Sequence, residues 1–137
     1  MNTATFKYHT DFAAANHTRY ILLDWGWSET FNLHKVNPEV DLEEIITYAT
    51  SKGVGVILWA AWHAVTQQMH EIFPKYAQMG IKGFKIDFID RDDQIAVAST
   101  YEIAKLAAEY HLMVDYHGVF KPTGLQRTYP NVVGYEG

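Results

Sequence analysis

A chain of 137 residues suits one domain or part of one, and with 48% hydrophobic and 15% aromatic residues it can fill a packed core. A net charge of −5 and singly scattered basic residues exclude a nucleic-acid binder, since phosphate recognition needs a clustered basic face. No apolar run of about eighteen residues offers a membrane-crossing helix, and the lack of cysteine excludes disulfides and thiolate metal sites.

Met1 to Phe6 has neither the basic start nor the apolar stretch of a secretory leader. Residues 20–24 read as a short buried strand, followed by the aromatic loop Trp25-Gly26-Trp27-Ser28. Asp41 with Glu44 has the form of a capping box, and Leu42, Ile45, Ile46 and Ala49 follow at helical spacing. Gly53 ends that helix before a second strand over 54–59. Met69, Ile72, Phe73 and Tyr76 mark another amphipathic helix, which Pro74 either kinks or restarts. After Gly80 comes a strand over 80–88, then a helix over 92–109 with a charged stripe at Glu102, Lys105 and Glu109. A fourth strand is expected over 111–115 and a fifth over 131–135, joined by the turn-rich Lys121-Pro122-Thr123-Gly124.

Alternation of strand and helix predicts right-handed βαβ units and a parallel sheet, hence an α/β fold. Spacings of roughly 30 residues between strands suit a (β/α)8 TIM barrel better than a doubly wound sheet, whose glycine-rich first turn is missing. A barrel takes about 250 residues and eight strands. Residues 1–137 therefore read as a piece of one catalytic barrel domain, with four to five βα units.

The expected strands end on Asp24, Trp59, Asp87 and Asp115 or His117, at the rim where barrel enzymes keep their chemistry. Along 83–88, Gly83, Lys85 and Asp87 share one face, and Phe84, Ile86 and Phe88 the other. A cation beside Asp87 favours its ionised form. A fixed, ionised carboxylate is what a glycosidase needs as nucleophile, although a strand-terminal aspartate also commonly caps the next helix. Trp25, Trp27, Trp59 and Trp62 are candidate sugar platforms or plain packing. Of the histidines, His117 points from the nucleophile's rim, His63 is intermediate, and His9, His17, His34, His70 and His111 read as solvated positions on helices or loops. Asp115 and His117, two apart on one face, could also begin a transition-metal site.

Tyr20 to Trp27 (YILLDWGW), Gly80 to Phe88 (GIKGFKIDF) and His117 to Gly137 (HGVFKPTGLQRTYPNVVGYEG) resemble the catalytic barrel of glycoside hydrolase family 97 over nearly the whole chain. The resemblance implies a calcium-binding α-glucosidase or α-galactosidase, periplasmic or secreted, whose barrel lies between flanking β-domains absent here. Its substrate would be an oligosaccharide or α-galactoside. Retaining members carry the nucleophile where Asp87 stands. Inverting members place a base glutamate directly after the histidine matching His117, where this chain has Gly118. The resemblance thus implies the retaining, α-galactosidase-like branch. It further implies that Lys85, His117 and Asp24 bind sugar hydroxyls, that Trp25 and Trp59 shape the pocket, and that Glu136 is a calcium ligand. The acid/base glutamate is expected beyond residue 137, in an Arg-Gly-x-Glu pattern, with Glu136 itself as the rival assignment. Two other readings stay open: a non-catalytic sugar-binding barrel, and a metal-dependent hydrolase built on Asp115 and His117.

Overall fold

A computed structural model describes residues 1–137. Its elements are α1 (Thr3–Ala15), β1 (Tyr20–Leu23), β2 (Ser28–Glu29), β3 (Asn32–Val36), α2 (Leu42–Ser51), β4 (Gly55–Ala61), α3 (Trp62–Met79), β5 (Gly83–Asp87), α4 (Gln94–Glu109), β6 (Met113–His117), α5 (Leu125–Thr128) and β7 (Val132–Glu136).

Five strands form one parallel sheet in the order β1-β4-β5-β6-β7, each paired with the next in sequence. A doubly wound sheet reverses its strand order at a switch point; this one never does. It is an arc of a barrel wall, with β2 and β3 as a separate antiparallel hairpin inserted after β1. Burial alternates over residues 84–87 and along β6 as the pleat demands, whereas the end of β4, residues 58–61, is buried on both faces. Val56, Leu58, Ala60, Phe84, Ile86, Val114 and Tyr116 are buried toward the helices, while Ile57, Lys85, Asp87, Met113, Asp115 and His117 on the opposite face are only half-buried.

The helices start where short polar side chains satisfy free backbone donors. Asp41 accepts the Glu44 N–H of α2 at 3.0 Å, and Asp93 accepts the Ala96 N–H of α4 at 2.9 Å. The box expected at Asp41 is half made. The Asp41 N–H goes to Thr3 Oγ1 at 2.8 Å, and Glu44 instead pairs with Lys7 of α1. Pro74 lies inside a continuous α3, so no new helix begins there. Gly80 closes α3 at φ 104, a left-handed conformation that costs glycine little.

Three elements were not foreseen: α1, the β2–β3 hairpin and α5. Strands β4 and β6 also run two residues past their expected ends, which carries Ala61 and His117 into the sheet. His34 lies on β3, not on a helix or loop, and pairs with Glu71 at 3.0 Å. The hairpin is pinned to α3. Gln68 donates to the Phe31 carbonyl at 2.8 Å and accepts the Leu33 N–H at 2.9 Å, and the Tyr76 hydroxyl donates to the Leu33 carbonyl. Burial pushes the Tyr76 hydroxyl pKa up to about 12. Its ring meets Trp27 edge-on at 5.6 Å, the kind of aromatic pair worth roughly 0.5–1.5 kcal/mol beyond its buried area.

Candidate active site

The C-terminal ends of β1, β4, β5, β6 and β7 bring together the polar residues singled out in the sequence. Register fixes their relations: Trp59 lies opposite Lys85, Ala61 opposite Asp87, Lys85 opposite Asp115, and His117 opposite Glu136.

Asp87 ends β5 with both carboxylate oxygens engaged. Oδ1 accepts the Phe88 N–H at 2.8 Å, and Oδ2 accepts the Trp59 indole N–H at 3.2 Å. The expected Lys85 partnership is not the one formed. Lys85 Nζ donates instead to Asp24 Oδ2 at 3.0 Å, while Asp24 Oδ1 accepts the Trp25 N–H at 2.7 Å. The reason is geometric. Residues two apart on a strand point the same way about 6–7 Å apart, whereas the long lysine stem can reach across β4 to the end of β1. Asp24 and Lys85 therefore form one charge pair beside the nucleophile candidate, and neutral N–H donors hold Asp87 itself.

The tryptophans separate by role. Trp27 is fully buried and donates its indole N–H to the Trp59 carbonyl at 2.7 Å, so it is core rather than platform. Trp62 is half-buried and donates to Ser99 Oγ at 2.9 Å. Trp59 is only 2% exposed. Trp25, 60% exposed, stacks over it at 6.0 Å, and the Phe88 ring meets Trp59 at 5.4 Å with planes 75° apart. Trp25 thus offers an open aromatic face at the rim.

Phe88 was expected to continue the apolar face of β5. It leaves the strand instead at φ 64 and is half exposed. Asp90 also has a positive φ, 45°. Two non-glycine residues in this sparsely populated region, two positions apart, store local strain beside Asp87. The Asp90 N–H donates to the Gly118 carbonyl at 2.6 Å, which ties the loop after β5 to the end of β6. Gly118 itself has φ 56. A Cβ there would lie 2.8 Å from Asp90 Oδ1 and 3.5 Å from Asp87 Oδ1. Asp90 was missing from the sequence reading, which had no signal that this loop folds back. Beside it opens a cleft of about 580 Å³ whose lining includes Asp90, Arg91, Gly118, Phe120 and Lys121.

His117 stands between two carboxylates, with Nε2 3.1 Å from Asp115 Oδ2 and Nδ1 2.6 Å from Glu136 Oε2. A register shift at Val114/Asp115 sets Gly134 opposite Asp115. The site depends on that glycine, because a Cβ at 134 would fall 2.5 Å from Asp115 Oδ1. Both ring nitrogens of His117 thus face carboxylates, and no group of three or more His, Asp or Glu is arranged to hold a metal. A transition-metal centre on Asp115 and His117 finds no geometric support. Calcium takes about six to eight oxygen ligands. The carboxylate expected to bind it, Glu136, is exposed and already paired with an imidazole. These residues alone do not make a calcium site.

Comparison with known proteins follows the same lines. The profile of the family described as Glycoside hydrolase 97 matches residues 1–137. A retaining alpha-galactosidase from Bacteroides thetaiotaomicron is 49% identical over the whole chain, and a probable retaining alpha-galactosidase from Streptomyces bingchenggensis is 31% identical over 96% of it. The chain spans only 21% and 22% of those two proteins. Among solved structures, a glycoside hydrolase family 97 enzyme from Pseudoalteromonas sp. strain K8 superposes with a TM-score of 0.90 at 24% identity, covering 98% of this chain and 25% of that one. A beta-arabinopyranosidase superposes with a TM-score of 0.82 at 27% identity, covering 98% and 23%. The likeness bears out the partial TIM-barrel fold.

Proposed function

Because this chain belongs to glycoside hydrolase family 97, we propose that it is the nucleophile-bearing arc of a retaining exo-α-glycosidase, α-galactosidase-like in specificity. One observation carries the reading. Asp87, at the end of β5, has its carboxylate aimed by two neutral N–H donors, with a lysine–aspartate pair on one side and a side-chain-free glycine on the other.

In this mechanism Asp87 attacks the anomeric carbon of a terminal α-linked sugar as the glycosidic C–O bond breaks. A carboxylic acid protonates the departing oxygen. The product is a β-glycosyl ester of Asp87, which water hydrolyses once the same acid, now a base, takes its proton. Retaining enzymes hold the two carboxyls about 5–5.5 Å apart. We assign the acid/base to a glutamate outside these residues, a reading supported by the pairing of the Glu136 carboxylate with His117. Asp24, Lys85 and His117 bind sugar hydroxyls, Trp25 presents its ring face to the sugar, and Trp59 lies behind it. Glu136 contributes at most one oxygen to a calcium ion completed from elsewhere, and no step passes through it.

We place the 137 residues within a longer barrel, because the inner sheet face and both sheet edges need cover, and we expect the piece alone to hydrolyse nothing. Galactose over glucose rests on the two curated relatives. The test is Asp87→Ala in the complete enzyme. Hydrolysis of an aryl α-galactoside should fall by about three orders of magnitude or more, and azide should restore turnover with inverted product stereochemistry. Wild-type turnover in that variant would reject the assignment.

A further inference from the structure

We infer that Trp59 is a positioning residue for the nucleophile, acting through its indole N–H on Asp87 rather than as a sugar platform. The inference rests on Asp87 being the nucleophile and deepens that reading.

Three observations support it. First, the Trp59 ring is all but inaccessible, at 2% exposure, so it offers no face to a sugar; Trp25, stacked upon it, occupies that side. Second, its one polar atom, which needs a partner when buried, points at Asp87 Oδ2 at 3.2 Å. Third, the ring is clamped. Trp25 stacks on it, Phe88 meets it nearly edge-on, and Trp27 donates to its backbone carbonyl at 2.7 Å from a fully buried position.

The consequence is chemical. A free carboxylate rotates about its Cβ–Cγ bond and presents its lone pairs to water. Here Phe88 N–H fixes one oxygen and the indole fixes the other. The carboxylate plane is therefore set before substrate arrives, which is the kind of preorganisation that a shift of about 1 Å can degrade a hundredfold. The strained φ of Phe88 also gains a purpose: it sets the Phe88 ring against Trp59.

The experiment is a double-mutant cycle in the complete enzyme, with Trp59→Phe, Asp87→Ala and the pair, assayed on an activated aryl α-galactoside. Trp59→Phe keeps an aromatic ring and deletes the donor. It should lower kcat 10- to 100-fold with KM changed less than about threefold. In the Asp87→Ala background rescued by azide, the same Trp59→Phe change should have no further effect, because the group it acts through is gone. A raised KM with unchanged kcat, or an equal loss in both backgrounds, would overturn the inference in favour of sugar contact or packing. Loss of turnover in Asp87→Ala alone separates that outcome from failure of the underlying reading; wild-type turnover there would overturn both. Should Trp59→Phe not fold, the indole ¹⁵N–¹H resonance of Trp59 provides the answer in protein with Trp59 intact. It should shift when Asp87→Ala removes its acceptor; a resonance that stays in place in that variant would overturn the inference.

Discussion

At the N-terminal ends of the strands, Gly55 and Gly83 pack shut. A Cβ at Gly55 would lie 2.6 Å from the Tyr20 ring, and one at Gly83 would lie 2.5 Å from the Met113 carbonyl oxygen. Toward the C-terminal side, Gly118 directly after β6 and Gly134 midway along β7 do the reverse, leaving room that the carboxylates of Asp90 and Asp115 occupy. The same residue type closes one end of the sheet and opens the other. Small side chains at the bottom let strands and aromatic rings approach and so serve stability, whereas at the top they serve the placement of charge.

That contrast can be broken at either end. The largest effect is expected at the rim. Gly118→Ala must accommodate a methyl group against Asp90 and beside Asp87 from a positive φ, and should cost about a hundredfold or more in kcat while the melting temperature falls only modestly. Gly134→Ala, which displaces the Asp115 carboxylate and with it His117, should cost less, on the order of tenfold, read mainly in KM. At the bottom, Gly83→Ala should destabilise the fold by roughly 1–3 kcal/mol in urea unfolding, yet leave kcat of the folded fraction unchanged. A bottom variant that abolished kcat, or a rim variant that only lowered the melting temperature, would collapse the distinction.

Much of this arrangement was legible in the sequence, and the part that was not has physical causes. The order of strands and helices followed from hydrophobic period and glycine punctuation; Asp87 and His117 end their strands and Asp24 directly follows β1, whereas Trp59 lies two residues inside the end of β4. α1 escaped because its buried side is short and mixed: Phe6, Thr10 and Ala13. The hairpin buries only Leu33 and is held by Gln68 and Tyr76 from α3, contacts more than thirty residues away that no local pattern reveals. The Lys85–Asp24 pair spans 61 residues, and strand alternation alone pointed to the nearer carboxylate, Asp87. The positive φ values of Phe88 and Asp90 have no signature in residues that normally avoid them.

Two smaller effects sharpen the comparison away from both ends. Asp93 caps α4, and the Ala96 N–H, with help from Arg91, holds its carboxyl below the usual carboxylate range. A depressed folded-state pKa contributes stability above the unfolded value and loses it as pH falls through the folded one. Asp93→Ala should therefore lower the urea midpoint at neutral pH, and the difference from wild type should shrink as pH falls through the folded value. Tyr76 behaves in the opposite sense. Its hydroxyl pKa is raised to about 12, so its contribution is complete below the ordinary tyrosine value of about 10 and is lost as pH climbs to the folded value. Tyr76→Phe should flatten part of the alkaline fall in stability between those limits, while Tyr116 and Tyr135, also raised by burial, and Tyr48, raised by its hydrogen bond to Asp11, contribute too.

The most direct test of the central claim is covalent. A fluorinated galactosyl donor that glycosylates the complete enzyme but deglycosylates slowly should leave one sugar per active site. Trypsin cuts after Lys85 and Arg91 and releases residues 86–91, a peptide that holds both Asp87 and Asp90, so fragmentation within it must locate the adduct. A label on Asp87 is the predicted result. A label on Asp90, or on any peptide other than this one, would contradict the account.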